Sequence, residues 1–259
     1  MHSEIVLEPD VQNWIEHICE PQRLLLAWQA PDQFGNRFRW AVGEISRTKD
    51  DYLFRYFEGP EFESFNQGKS YSKLLSMGYH GYPAFDPREI NHTRNVLAPF
   101  LRRLASRGRS DFDAYTRYYH LHPDVQISDF ALLGITEAKL PSDGFSLVNT
   151  LDEAAPSCDL FLEVAGHRYY RENLPGGSLI GKSVELIPEP NNKHDPNAVM
   201  VRLHKKCIGY INRLQTRTFK AWISEDRVSA LIERLNGDID RPRLFIFVRV
   251  KPRRQERVA

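Results

Sequence analysis

Residues 183–199 read SVELIPEPNNKHDPNAV, and this stretch decides the fold of the C-terminal part of the chain. Polar and apolar side chains alternate at its start, which is typical of a half-buried β-strand. The asparagines and the aspartate that follow can hydrogen-bond local backbone groups, and the prolines reduce the entropy lost on ordering. The pattern predicts a stiff loop after a strand. Composition alone fits both a well-made turn without a ligand and a binding loop.

A second informative stretch, VAGHRYYR, covers residues 164–171. Tyrosine rings can stack on bases, and the guanidinium groups of Arg168 and Arg171 can meet phosphates, as binding of a single-stranded nucleic acid requires. If the segment is a strand, however, Tyr169 and Tyr170 point to opposite faces, and one of them belongs to the core.

The rest of the C-terminal region contains several short apolar or alternating runs. Together with one helix in about 100 residues, these runs indicate a compact β-barrel of the OB-like type. The predicted strands are residues 160–165, 183–187, 198–203, 207–211 and 244–250, and the predicted helix is 213–225 or extends to 235.

The N-terminal region has a different pattern, which predicts an α+β domain. Residues 37–45 and 51–57 are rich in aromatic and β-branched side chains and predict strands of an antiparallel meander. Helices are predicted at 96–104, from about 111 to 119, and from 129 to 134, because apolar residues recur there at intervals of three and four or a capping residue precedes them. We place this domain at 1–150, a linker at 151–158 and the C-terminal domain at 159–259.

Charge is divided unevenly between the two domains. The net charge of the chain is +1. Residues 1–158 carry 16 Lys and Arg against 22 Asp and Glu, whereas residues 159–259 carry 19 against 12. Such an asymmetry is typical of a basic binding module joined to an acidic domain, although chance can also produce it.

Bulk composition bounds the class of protein. A hydrophobic fraction of 41% is too high for a disordered chain, and no stretch approaches the roughly 20 apolar residues of a membrane span. The N-terminus lacks the basic and apolar regions of a secretory signal. Three widely separated cysteines give neither a disulfide framework nor the spacing of a metal site. We therefore expect a cytoplasmic protein without a metal, a cofactor or a membrane partner.

The motifs resemble the HIRAN family over residues 159–250. The resemblance is carried by V-A-G-x-x-Y-Y at 164–170, a glycine-rich turn at 175–181, the stretch 184–199 with E-P-x-N-x-x-D-P-N-A-V, and I-G-Y-I at 208–211. It implies a small barrel that grips the free 3′ end of single-stranded DNA, in DNA repair or defence. Bacteria also carry such domains in small proteins.

The resemblance also implies roles for particular side chains. Arg168 and Tyr169 match residues that contact the terminal nucleotides, with Tyr169 stacking on a base. Asn192 and Asp195 match the polar pair that hydrogen-bonds the terminal sugar and base. The remaining matches depart from the family pattern. They are His194 at an aromatic stacking position, Tyr210 where some members have a histidine, and Arg213 where they have a lysine that contacts the backbone. The implied nucleic-acid-binding set is Arg168, Tyr169, Tyr170, Asn192, His194, Asp195, Tyr210 and Arg213.

Residues 1–150 resemble, more weakly, the non-catalytic N-terminal subdomain of HipA-type toxin kinases. The likeness lies in AVGEISR at 41–47, YLFRYF at 52–57 and FLRRLASRGRSDFDAYTRYY at 100–119. No glycine-rich nucleotide loop or D-F-G motif accompanies it, so kinase activity is not implied.

The sequence thus favours a non-enzymatic protein that captures 3′-hydroxyl ends of single-stranded DNA. Its N-terminal domain would couple this binding to a protein partner or a regulatory output. The alternative is a toxin–antitoxin or phage-defence accessory protein that acts mainly through protein–protein interaction. A nuclease is the third possibility, and the scattered carboxylates argue against it because nuclease sites gather acids around a metal.

Overall fold

The computed structural model describes residues 13–34, 38–140, 143–238 and 240–253. Its N-terminal part contains an antiparallel sheet of five strands in the order β4-β3-β2-β1-β5. Five helices follow or interrupt the strands, as expected of an α+β domain. The strands are β1 (Arg23–Gln29), β2 (Arg39–Arg47), β3 (Tyr52–Tyr56), β4 (Asn91–His92) and β5 (Phe145–Asn149), and the helices are α1 (Gly59–Phe65), α2 (Tyr71–Leu75), α3 (Ala98–Leu101), α4 (Phe112–Tyr118) and α5 (Asp129–Thr136).

The predicted meander is confirmed by β2 and β3, which pair in antiparallel register. The helix predicted at 96–104 is only the single turn of α3, which has a proline in its first turn. Helix α5 begins at its predicted residue because the Ser128 hydroxyl accepts a hydrogen bond from the backbone N–H of Ala131 at 3.0 Å.

The C-terminal part is a six-stranded barrel. Its strands lie in the order β6-β11-β10-β7-β8-β9. An antiparallel bridge between Ala165, just beyond β6, and Tyr210, at the end of β9, joins the two edges of this sheet. The small β-barrel predicted from the motifs is therefore confirmed. The elements are β6 (Cys158–Glu163), β7 (Ser183–Pro188), β8 (Val199–Leu203), β9 (Lys206–Tyr210), α6 (Thr216–Ser224), β10 (Val228–Asn236) and β11 (Arg243–Val250).

Strand β10 corrects the prediction for residues 225–235. The helix α6 ends at Ser224, and the chain then forms a strand rather than more helix. Ala230 and Ile232 point into the barrel, which is the alternation of a strand. A bulge between Ile232 and Arg234 interrupts that alternation, so the period-two pattern is weak in the sequence.

Buried side chains form one core in each domain and a third core between the domains. The third core joins residues of the N-terminal part to aromatic residues on the outer face of β6 and β11. Its buried members are Ile15, Leu121 and Leu132 from one side and Phe161, Phe245 and Phe247 from the other. Because each domain completes this core for the other, the two domains pack as a single body.

The segment between the domains is fixed along its length. Its backbone carbonyl groups accept hydrogen bonds from Thr218 and Trp222 of α6 and from the buried Arg227. The predicted linker at 151–158 is thus ordered, and its last residue already belongs to β6. In the ranges that the structure describes, no helix is long and apolar enough to span a membrane.

Candidate nucleic-acid interface

A groove of about 1120 Å³ runs between the two domains at the closing edge of the barrel. All eight residues of the implied nucleic-acid-binding set line it. They arrive from three separate segments: the turn after β6, the loop between β7 and β8, and the end of β9 with the residues that follow. The fold therefore brings together side chains that are up to 45 positions apart in the sequence.

The turn after β6 presents Tyr169 to the groove. The segment VAGHRYYR is not a strand, because Gly166 takes a left-handed conformation with φ 72° and starts two short 3-10 turns. Tyr169 is 66% exposed, and the Arg168 guanidinium carbon lies 4.6 Å from its ring centre. The Arg168 guanidinium also donates a hydrogen bond to the Tyr169 hydroxyl. Tyr169 thus presents an exposed aromatic ring, and Arg168 places a cation beside it. Stacking on a base next to a phosphate requires this combination.

His167, rather than either tyrosine, is the core residue of this turn. Its ring is buried, and its Nδ1 lies 2.8 Å from the carbonyl oxygen of Ile208. Burial lowers the pKa of His167. The carbonyl partner requires a proton on Nδ1, which leaves Nε2 as an acceptor. Within the described residues Nε2 has no hydrogen-bond partner.

Tyr170 and Tyr210 form the inner wall of the groove. Their ring centroids lie 5.8 Å apart at an interplanar angle of 64°. Burial and the hydrogen bond with Tyr170 raise the pKa of Tyr210 well above its usual value. The Tyr210 phenol therefore stays neutral at physiological pH, and the pair provides an aromatic surface with polar hydroxyl groups.

The loop between β7 and β8 is built around Asn192. Its side-chain oxygen accepts the backbone N–H groups of His194 and Asp195 at 2.9 and 3.1 Å. Its amide nitrogen donates to Glu189 Oε2 at 2.8 Å. Both acceptor sites of Asn192 are therefore in use, and one N–H donor is left for a ligand. The stiff loop predicted from the sequence has the internal hydrogen bonds that its composition favours.

Asp195 has a more open carboxylate. Its Oδ1 accepts the backbone N–H of Asn197 at 2.9 Å, which is an Asx turn. The carboxylate is half-buried, and His194 beside it is exposed. A carboxylate at this place accepts a hydrogen bond from a hydroxyl group and repels a phosphate.

Arg213 lines the groove and also faces the N-terminal domain, and its implied contact with the nucleic-acid backbone stays a prediction. Its guanidinium donates to the carbonyl oxygens of Arg39 and Phe65 and to Asn66 Oδ1, at 2.8, 2.6 and 2.8 Å. Each of its three nitrogens is engaged, because the adjoining domain offers oxygen acceptors that the motif does not reveal. Burial lowers the pKa of Arg213 to about 10, which leaves it protonated at neutral pH.

The N-terminal domain supplies the opposite wall of the groove, which the sequence did not predict. A chain of ion pairs crosses between the domains there. Lys139 lies 2.8 Å from Glu137 and 3.3 Å from Glu163, and Arg243 lies 2.7 Å from Glu163. Burial alone would raise the pKa of Glu163, but Arg243 and Lys139 hold it at about 2. These residues belong to no motif in the sequence, so only their positions in the fold identify them as part of the groove. The lining residues on this side include Phe38, Arg39, Glu137, Lys139 and Asp143.

The geometry defines a class of protein, a small barrel with an aromatic and basic groove. Within that class, residues 158–250 match the family model of the HIRAN domain. It is similar to the crystal structure of the HIRAN domain of human HLTF, with 21% identity, 36% of this chain and 74% of that chain covered, and a TM-score of 0.28. It is also similar to the crystal structure of a protein from Lactobacillus plantarum, with 20% identity, coverage of 36% and 98%, and a TM-score of 0.27. No curated protein matches the chain.

At the level of the family, a HIRAN domain implies nucleic-acid binding, and such domains are typically binding modules. The match does not extend into the N-terminal domain. The resemblance of that domain to HipA-type subdomains stays a prediction. Among the described residues, no group of His, Cys, Asp and Glu side chains is arranged to hold a metal ion.

Proposed function

We propose that this protein captures 3′-hydroxyl ends of single-stranded DNA in the groove between its two domains, without catalysing a reaction on them. The observation that supports this most directly is the meeting of Tyr169, Asp195 and Tyr210 on one groove. An exposed ring, a carboxylate and a neutral aromatic wall are the groups that a terminal nucleoside with a free hydroxyl needs.

Each group has a separate task in the proposed complex. The Tyr169 ring stacks on a base near the end of the strand, and the Arg168 guanidinium meets a phosphate. Asp195 accepts a hydrogen bond from the terminal 3′-hydroxyl. The N-terminal domain couples occupancy of the groove to a protein partner or a regulatory output, because it forms the other wall.

The first prediction concerns Tyr169. Replacing it with alanine removes a stacking surface worth about 1–3 kcal/mol per base, so we expect binding of a single-stranded oligonucleotide to weaken roughly 5- to 150-fold. Tyr169→Phe keeps the ring and serves as the matched control. Because the side chain is mostly exposed, neither change is expected to alter the unfolding midpoint. Equal affinity of the alanine variant and the wild type, measured by fluorescence anisotropy, would place the site elsewhere.

The end chemistry is tested on the same protein with two oligonucleotides that differ only in a 3′-hydroxyl or a 3′-phosphate. We expect the hydroxyl form to bind more tightly, and Asp195→Asn to reduce the difference. The asparagine keeps the acceptor for Asn197 and so preserves the turn. Indistinguishable affinities for the two oligonucleotides would remove end recognition from the proposal. Incubating labelled DNA with magnesium or manganese tests the absence of cleavage.

A further inference from the structure

The ring of Phe38, which lines the groove from the N-terminal domain, contacts two cations. The guanidinium carbon of Arg213 lies 4.1 Å from its ring centre, and the ammonium nitrogen of Lys69 lies 4.4 Å from the same centre. Phe38 and Arg213 both line the groove. Lys69 therefore brings a positive charge from the N-terminal domain to the place where the HIRAN domain presents Arg213.

The charges at this end of the groove do not balance. Asp195 is the carboxylate that acts on both cations, and it raises the pKa of each. Burial lowers the pKa of Lys69, and the charge of Arg213 lowers it further. Two cations thus share one carboxylate at a half-buried place, which leaves a local excess of positive charge that favours an additional anion.

Most of the N–H donors of Arg213 are already used within the protein, whereas most of those of Lys69 are not. All three nitrogens of Arg213 already donate to the N-terminal domain. Lys69 donates to Gln67 Oε1 at 3.2 Å, and among the described residues no carboxylate lies within ion-pair distance of it. An ammonium group has three donors. Two of them are therefore available to oxygen atoms of a ligand.

On the basis of the proposed function, we propose that Lys69 of the N-terminal domain binds a phosphate of the strand whose end occupies the groove. The N-terminal domain would then supply a backbone contact of its own, beside an arginine that has already committed three of its five N–H donors to that domain. The positive charges of Lys69 and Arg213 together outweigh the repulsion that the Asp195 carboxylate exerts on this phosphate.

The test uses the full chain and a 3′-hydroxyl single-stranded oligonucleotide, with affinity measured across a series of salt concentrations. Loss of one phosphate contact in Lys69→Gln should weaken binding roughly 3- to 10-fold and reduce the slope of log affinity against log salt by about 0.7. Lys69→Arg keeps the charge and should retain most of the affinity. The matched control is Lys49→Gln, because exposed Lys49 follows β2 at the end of the strand remote from Phe38.

Wild-type affinity and slope in Lys69→Gln, together with loss of binding in Tyr169→Ala, would overturn the Lys69 assignment and leave the proposed function intact. An equal loss in Lys49→Gln would also overturn it, because the effect would then reflect overall charge. Failure of the wild type to bind any oligonucleotide would overturn both proposals. Unfolding midpoints of all variants should stay at the wild-type value, which separates a lost contact from a lost fold.

Discussion

At the scale of single residues, Gly209 allows the two edges of the barrel to meet. Its φ is +138°, and a Cβ added there would lie 2.5 Å from Val164 Cγ1 and 2.8 Å from the carbonyl oxygen of Ala165. The backbone of β9 therefore approaches the end of β6 more closely than any side chain permits. This contact also aligns Tyr210 with the turn that carries Tyr169.

The second prediction follows from that contact. We expect Gly209→Ala to destabilise the protein by about 3 kcal/mol or more, since the backbone is strained for alanine and two atoms must move apart. Gly176→Ala is the matched control, because a Cβ there meets open space and its φ is not positive. Urea unfolding of both variants measures the difference. Similar stabilities of the two variants would mean that the barrel does not close at Gly209.

The residue types in the motif indicated the chemistry of the groove, but they did not indicate which hydrogen-bond partners each side chain has in the folded protein. Tyr169 lies exposed in the groove, as the motif implies, and Asp195 lines it. Arg213 and Asn192 have the right chemistry, but oxygen atoms of the N-terminal domain engage the first, and the loop backbone engages the second. A motif describes what a side chain can bind, whereas the surrounding fold decides which acceptor or donor reaches it first.

At the scale of elements, the sequence of β10 does not distinguish a strand from a helix that extends to residue 235. Its apolar residues fit a helical spacing about as well as an alternating one, because the bulge after Ile232 shifts the register. Glu233 and Arg234 are also poorly exposed, since they face the N-terminal domain beside His120. Polar residues that another domain buries interrupt the alternation by which a strand is predicted. Their surroundings are known only from the structure of the complete molecule.

The segment between the domains is held mainly by Arg227. This arginine is 2% exposed and donates to the backbone carbonyl groups of Glu153, Ala155 and Pro156. It also donates to the carbonyl of Lys251 at 2.7 Å, so one side chain fastens the segment to the end of the last strand. Small, acidic and proline-containing residues predicted only a linker, because the distant donor that fixes the segment cannot be seen in their composition.

The third prediction is that Arg227→Lys converts this segment into a protease-sensitive one. A lysine cannot make the forked set of hydrogen bonds, so several buried carbonyl groups lose their donor at a cost of about 3 kcal/mol. We expect limited proteolysis to cut between residues 150 and 157 in the variant but not in the wild type. The matched control is Arg217→Lys, since Arg217 pairs with Glu153 at the surface and is 92% exposed. Equal resistance of the two variants would contradict the role of Arg227.

At the scale of the whole molecule, His120 lies in the core that joins the domains. Its Nδ1 lies 2.7 Å from the carbonyl oxygen of Asn13, and the Arg234 guanidinium donates to its Nε2 at 3.0 Å. Burial lowers the pKa of His120 to about 4, and the charge of Arg234 contributes in the same direction. The carboxylate of Glu233, 3.5 Å from Nδ1, does not reverse this. The imidazole is therefore neutral in the folded protein.

The fourth prediction concerns acid stability. Because the folded pKa is depressed, the unfolded chain takes up the proton first as the pH falls below about 6.5. Stability is then lost progressively down to about pH 4, by about 3 kcal/mol. We expect His120→Gln to flatten the fall in unfolding free energy between these values. The exposed His80→Gln is the control. An unchanged pH profile in the His120 variant would contradict its burial in the neutral form.

The division into an α+β part and a barrel was predictable from the sequence, because each has its own periodicity and the barrel carries a family motif. The contact between them was not. The phenylalanines Phe161, Phe245 and Phe247 alternate correctly on their strands, but they face outward and are covered by the other domain. Half of the groove wall depends on that contact, so the Lys69 and Phe38 side of the site has no signal in the sequence.

The shared core also constrains the order in which the chain matures during synthesis. The backbone N–H groups of Glu16 and His17 pair with the Asp159 carboxylate, at 3.0 Å each. Ile15 packs in the same core as Phe247. Residues 15–17 leave the ribosome long before Asp159 and Phe247, which they contact, have been synthesised. Until β11 emerges, the nascent chain exposes an apolar face, and this interval is when a chaperone has the most to protect.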